Sequence, residues 1–177
     1  MRDIVYYVAT SMDGFIGGSN DAFGFFAHNG NGVEKYLQDL KSFDTVIMGR
    51  KTYEFGYRFG LEPGKPAYPH MKHYIFSDTL TFEEQDSSIV VEPLNLDTIL
   101  ALKRRQGSPI YLCGGGQFAG WLLENEQIDV LKIKLNPFIM GSGIRIFGDV
   151  KKRCRTRLMD STCYDQGLQI MTFSIQY

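Results

Sequence analysis

The sequence predicts an α/β fold in which a central mixed, mainly parallel sheet is flanked by helices and finished by antiparallel strands. Three observations support it. Apolar runs of strand length alternate with helical periodicities as far as Leu123. Two of those runs pass directly into glycine where a helix begins. Beyond Asp129 the pattern changes to period-two alternation, which suggests antiparallel strands with one wet face.

Ile4-Val5-Tyr6-Tyr7-Val8-Ala9 is too short for a helix and rich in β-branched and aromatic residues, so it reads as a buried strand. Ser11 to Asn31 follows, with Gly14, Gly17, Gly18, Gly24 and Gly30 set among Ser, Asn and Asp. This is a long loop, of the kind that often carries function. Val33, Tyr36, Leu37 and Leu40 share one face of a helix over 33–41. Thr45-Val46-Ile47-Met48 is the second strand, and Gly49 to Glu54 opens the next helix. His73-Tyr74-Ile75-Phe76 and Ser88 to Val91 are the third and fourth strands. Leu96, Ile99, Leu100 and Lys103 give helical spacing over 96–105, with Asn95 as the cap. Ile110-Tyr111-Leu112-Cys113 runs into Gly114-Gly115-Gly116, and Phe118 to Leu123 is the helix after it. Val130 to Leu135, Thr156 to Tyr164 and Leu168 to Tyr177 supply the alternating strands. With 177 residues and no repeat or linker, the expectation is a single domain over 1–177.

A formal charge of −1 offers no positive field of the kind that drives nucleic-acid affinity, so no nucleic-acid partner is expected. The basic run Lys151, Lys152, Arg153, Arg155 and Arg157 reads as a solvated turn and strand edge. No signal-peptide core and no membrane-length apolar stretch is expected. Cys113, Cys154 and Cys163 fit neither a disulfide framework nor a zinc ribbon, which suits a reducing cytoplasm. His28, His70 and His73 lack partners at ligand spacing, so no metal site is expected and they read as surface or packing residues.

Chemistry concentrates at two strand-to-helix turns, Met48-Gly49-Arg50-Lys51-Thr52 and Cys113-Gly114-Gly115-Gly116-Gln117. In an open α/β sheet such turns lie at the carboxyl ends of the strands, where ligands bind, and helix amino termini favour phosphate. Two such seats on one sheet imply a dinucleotide. Arg50 offers a forked grip on phosphate and Lys51 a charge beside it. Three glycines in succession suggest unusual dihedrals or close approach of backbone to a ligand. Gly114-x-Gly116-x-x-Ala119 also satisfies a loose Rossmann fingerprint, but the acidic residue expected about 20 positions on is absent, which leaves a Rossmann domain as the second fold reading.

Ser11-Met12-Asp13-Gly14-Phe15-Ile16, Met48-Gly49-Arg50-Lys51-Thr52-Tyr53 and Gly114-Gly115-Gly116-Gln117, in that order along nearly the whole chain, resemble the signature of the dihydrofolate reductase superfamily. Asn136-Pro137-Phe138-Ile139-Met140-Gly141-Ser142-Gly143 with Phe147 is more similar to the reductase domain of the bifunctional riboflavin-biosynthesis deaminase-reductase. No deaminase zinc motif accompanies it. The resemblance implies a three-layer dihydrofolate reductase-like fold and NADPH as cofactor. Ala9, Ile16 and Gly17 would line the nicotinamide. Gly49, Arg50, Lys51 and Thr52, with Ser77, would hold the 2′-phosphate and pyrophosphate, and Gly114, Gly115, Gly116, Gln117 and Phe118 would cradle the pyrophosphate from the other side. It also implies a cis peptide at Gly114-Gly115. Asp78 places a charge near the phosphate where the family commonly has a neutral residue.

The expected reaction is hydride transfer from NADPH to a C=N or C=C bond of a small heterocycle lying between the 11–31 loop and the helix from Val33. By resemblance the substrate is 5-amino-6-(5-phosphoribosylamino)uracil, with dihydrofolate or another pterin as the alternative and a homodimer as the assembly. A gapless match puts Val33 where dihydrofolate reductases carry an acid, with Glu34 next to it. Glu34 and Asp13 are the candidate catalytic acids, and Ser11 and Asp13 the candidate substrate contacts, although Asp13-Gly14 also reads as a plain turn. The rival from another class is a nucleotide-binding protein without turnover.

Overall fold

The computed structural model describes residues 1–18 and 23–177, so Ser19 to Ala22 of the long loop lie outside the described residues. Its strands are β1 (Ile4–Thr10), β2 (Phe15–Gly17), β3 (Thr45–Gly49), β4 (Lys72–Phe76), β5 (Ile89–Glu92), β6 (Ile110–Gly114), β7 (Val130–Leu135), β8 (Ile144–Arg145), β9 (Arg155–Cys163) and β10 (Gln169–Gln176). The helices are α1 (Asn31–Leu40), α2 (Arg50–Phe55), α3 (Leu96–Arg104) and α4 (Gly116–Glu124). Eight strands form one sheet in the order β5-β4-β3-β6-β1-β7-β10-β9, while β2 and β8 pair separately. Pairing is parallel from β5 through β7 and antiparallel for β10 and β9.

Strand pleating sends neighbouring residues to opposite faces, and β1 uses both. Tyr6 faces one core, made with Ile99 and Leu102 of α3 and with Phe118, Ala119 and Leu122 of α4. Tyr7 faces the other, made with Leu40 of α1 and Tyr53 of α2. Both tyrosines are fully buried, which at about 25 cal/mol per Å² of apolar surface stabilises each by roughly 2–3 kcal/mol. Helices on both faces give the three layers. Asn95 caps α3 by accepting the Asp97 N–H at 2.8 Å.

Four details differ from the sequence expectations. The 11–31 loop contains β2, which is held to β8. The inward line of α1 is Gly32, Tyr36 and Leu40 at i, i+4, i+8, while Leu37 is 54% exposed, because the Leu168 and Tyr164 side chains press against Gly32 too closely to admit a side chain there. The helix expected from Phe118 begins at Gly116. Strand β7 pairs parallel with β1, so the antiparallel part begins only at β10, and the polar side of β7 is covered by α1: Lys134 is 7% exposed. The basic run ends in β9, an edge strand exposed along its whole length. His73 is a packing histidine, its Nε2 accepting the Tyr68 N–H at 3.1 Å and its Nδ1 donating to the Met71 carbonyl at 3.1 Å. No helix among the described residues is long and apolar enough to cross a membrane.

Candidate active site

Strands β3 and β6 are neighbours, and their register pairs Met48 with Gly114. The two glycine turns therefore open side by side at the same carboxyl edge of the sheet. Gly49 is the N-cap of α2 and Gly115 the N-cap of α4, and among the described residues no side chain caps either helix. The first N–H groups of each helix thus lack intrahelical partners and point outward.

The glycines of the second turn do different jobs. Gly114 has φ +128, a conformation that a side chain disfavours, and a cis peptide joins it to Gly115 as the resemblance implies. At Gly115 a Cβ would meet only the Thr52 Oγ1 within 4 Å, at 3.1 Å, so the backbone there lies open to a ligand. Gly116 is different: a Cβ would lie 2.1 Å from the Arg145 carbonyl oxygen. Its role is close packing of α4 on the end of β8 and the segment after it, which residue pattern does not separate from ligand approach. Tyr6 reinforces that segment by donating its hydroxyl to the Ile146 carbonyl at 2.9 Å.

Beside the first turn, Arg50 is exposed and held from two sides, donating to Glu54 Oε1 at 2.7 Å and to Thr79 Oγ1 at 2.9 Å. Ser77 Oγ accepts the N–H groups of Thr79 and Leu80 at 3.2 and 3.0 Å, which closes the turn after β4. Arg50 and the Ser77 turn are thereby brought together, and Asp78, within that turn, is exposed. Lys51 and Gln117 are exposed, and Thr52 lies beneath the glycine pair. Phe118 is buried, stacked on Phe76 with ring centroids 5.0 Å apart.

At the end of β1, Ala9 and Ile16 are half-buried and Gly17 is buried. The Phe23 ring covers Gly17, 2.9 Å from where a Cβ would be, and packs on Phe55 at 4.4 Å. Ser11 and Asp13 form a closed network: Ser11 Oγ donates to Asp13 Oδ1 at 2.6 Å and accepts the Phe15 N–H at 3.0 Å. Asp13 also accepts the N–H groups of Met140 at 3.0 Å and Gly141 at 2.7 Å. These backbone and hydroxyl donors, Met140 foremost, lower its carboxyl to about 2, so it is ionised at neutral pH. Asp13 thus clamps the β1 loop to the chain after β7. Glu34 is exposed on the first turn of α1.

Two further residues stand at the carboxyl end of β7. Asn136, 1% exposed, accepts the Ala27 N–H at 2.9 Å and donates to the Thr10 and Lys134 carbonyls at 3.3 and 3.0 Å, tying the loop before α1 to the sheet. In the sequence it stands only as part of a motif string. Lys134, opposite Ala9 in the β1–β7 register, stands there as one polar position of an alternating strand.

The fold is that of the dihydrofolate reductase-like oxidoreductases. The chain belongs to the RibD C-terminal domain family, whose model matches residues 2–170. Among curated proteins it is 29% identical over 175 residues to the uncharacterized protein YwjB of Bacillus subtilis, covering 96% of each chain. Among solved structures, a putative riboflavin biosynthesis protein from Shewanella sp. PV-4 superposes with TM-score 0.81 at 22% identity over 100% of both chains. Dihydrofolate reductase from Enterococcus faecalis, solved with NADP(H), gives TM-score 0.68 at 16% identity, covering 98% of this chain and 96% of that one.

Proposed function

We propose that this chain is an NADPH-dependent reductase of a small heterocyclic substrate, with the aminopyrimidine 5-amino-6-(5-phosphoribosylamino)uracil of riboflavin biosynthesis as the first candidate. The observation that carries this is the pairing of Met48 with Gly114, which sets two uncapped helix starts next to each other on one sheet edge. The residues fit a dinucleotide: the backbone at Gly115 is open, and a side chain at that position would narrow the cradle. The amino end of α4, from Gly114 to Phe118, holds the pyrophosphate. Arg50, with Lys51, Thr52 and the turn closed by Ser77, holds the 2′-phosphate, and Ala9, Ile16 and Gly17 line the nicotinamide. When bound, the cofactor supplies a hydride. The chain's part is to position the acceptor on the α1 side of β1 and to exclude water there. Dihydrofolate is the weaker candidate because Glu34, next to the position of the family's acid, faces solvent. The setting is the cytoplasm, and the fully exposed edge strand β9, with Leu158 and Met159 on it, is the surface for a homodimer.

Two measurements test the proposal. NADPH fluorescence on mixing reports binding, and the absorbance of NADPH, followed with the aminopyrimidine, dihydrofolate or a small quinone, reports turnover. Turnover of the aminopyrimidine establishes the reading. Binding without turnover of any of them makes the chain a nucleotide-binding protein instead, and no binding removes the cofactor assignment altogether.

A further inference from the structure

A reductase that delivers a hydride to a C=N bond also needs a proton for the nitrogen, and the two acids suggested by the sequence are poorly placed to give one. Asp13 is held ionised by the donors of its clamp. Glu34 points into solvent.

Lys134 is placed differently. It sits near the carboxyl end of β7, paired with Ala9 on one side and Ile170 on the other. Directly opposed residues of paired strands share a face, so its side chain lies with that of Ala9 on the α1 side of the sheet. Ala9 is small and half-buried, so no bulky β1 side chain stands opposite the lysine. The Lys134 ammonium lies 5.0 Å from the Tyr36 ring centroid, and among the described residues no carboxylate or other hydrogen-bond partner reaches it. Among the described residues no buried side-chain nitrogen or oxygen is both sealed from solvent and unbonded, so the Nζ, which has no bond, keeps some contact with solvent while most of the side chain is covered. Holding a cation in such a place is costly, and one ring returns only about 1–2 kcal/mol.

The groups facing it do not compete for its proton. From α1, Tyr36 presents its ring, and its hydroxyl shares a 2.8 Å hydrogen bond with that of Tyr111. From β1 come Ala9 and, one register step down, Tyr7, which donates to Asp39 at 3.2 Å. Asp39 is already paired with Lys35 and, at 2.6 Å, with Lys132. From β10 comes Ile170. Burial alone pushes the Lys134 pKa down, whereas burial pushes those of Tyr7, Tyr36 and Cys113 up.

We propose that Lys134 is the proton donor of this active site, acting on a substrate whose reducible bond ends in nitrogen, an imine-type C=N. This deepens the proposed function and rests on it. As the carbon takes the hydride of the nicotinamide dinucleotide, the π pair of the C=N bond moves to nitrogen and forms a new N–H bond with a proton from Nζ. Lys134 is left as the neutral amine and regains its proton from solvent.

The test has two arms. In the unliganded protein carrying ¹³C,¹⁵N-lysine, the Lys134 resonance, assigned by its loss in Lys134→Met, titrates below the ordinary lysine value of about 10.4. A midpoint at or above that value overturns the assignment whatever the activity. In the NADPH assay with 5-amino-6-(5-phosphoribosylamino)uracil, Lys134→Met and Lys134→Arg each lower kcat by about 100-fold, within the range usual for loss of a general acid, while NADPH affinity by fluorescence changes less than about twofold. Arginine keeps the charge but does not release a proton. Wild-type kcat in either variant therefore sinks the Lys134 role alone, whereas a wild-type chain that turns over no substrate sinks the reductase reading and this role with it.

Discussion

The two sides of the candidate site are built from different materials. On the cofactor side the working groups are backbone: uncapped helix starts at Gly49 and Gly115, placed together by the β3–β6 register. On the substrate side they are side chains: the Ser11–Asp13 clamp, the Asn136 tie and the Lys134–Tyr36 pair. A backbone seat depends on glycine and strand order, and it accepts any dinucleotide of suitable shape. A side-chain seat can be altered one residue at a time without disturbing the sheet. Family membership therefore says more about the first side than about the second, where this chain places Val33 and Glu34 at the start of α1 and a lysine on β7.

The largest effect that could break this contrast is at Gly116. If it serves packing, Gly116→Ala forces a Cβ to within 2.1 Å of the Arg145 carbonyl, a backbone atom that cannot swing aside. Overpacking of this kind costs about 2–3 kcal/mol, a fall of roughly 5–10 °C in Tm for a chain of this size. Thermal unfolding without cofactor decides the matter, since an unchanged Tm would make Gly116 a ligand contact like Gly115. Next in size is Arg50→Ala. If Arg50 grips the 2′-phosphate as proposed, its loss weakens NADPH by about 10-fold or more and leaves NADH nearly unchanged. Equal loss for both nucleotides, measured by fluorescence titration, would take Arg50 out of the 2′-phosphate site.

How much of each side could be read in advance follows from the same difference. The strands that hold the two glycine turns are continuous apolar runs, and Gly49 and Gly114 mark their ends, so the α/β architecture and these turns were visible in residue pattern, while the roles of the residues around them came from the family resemblance. Strands β2 and β8 are three and two residues long and exist only because distant segments meet, which no local periodicity reports. Lys134 was hidden by a sound rule with a wrong premise. Alternation in Val130 to Leu135 implies a polar face turned to water, but β7 lies inside the sheet and α1 covers that face. A lysine on a strand that proves to be central is the feature that could have flagged it.

The clamp on the substrate side is sharpened by Asp13→Asn. Asparagine can still accept at one oxygen, but its amide NH₂ then faces the Gly141 N–H, so the loop after β1 loosens from the chain after β7. The folded carboxyl titrates near 2, below the ordinary range of about 4. Its contribution is thus fully present above about pH 4 and is lost as the pH falls toward about 2. Wild type and variant should differ in Tm at neutral pH, by less than Gly116→Ala does, and converge in acid. A difference that persisted unchanged at the acid end would mean that the carboxylate charge is not what holds the clamp.

The smallest effect is expected at Glu34, and it bears directly on which region supplies acid chemistry. Glu34 follows Gly32 by two residues, a rotation of about 200° around α1, and Gly32 is on the buried line. The glutamate is therefore turned away from the β1 side of the cleft and serves only as a favourable charge at a helix amino terminus, worth about 0.3–1 kcal/mol. Glu34→Gln should lower Tm by no more than a few degrees and leave kcat and its pH profile within about twofold of wild type. A large kcat loss, with a basic or acidic limb missing from the profile, would return the proton donor to α1. Lys134 would then be a covered cation held only by Tyr36, and the substrate side would follow the dihydrofolate reductase plan after all.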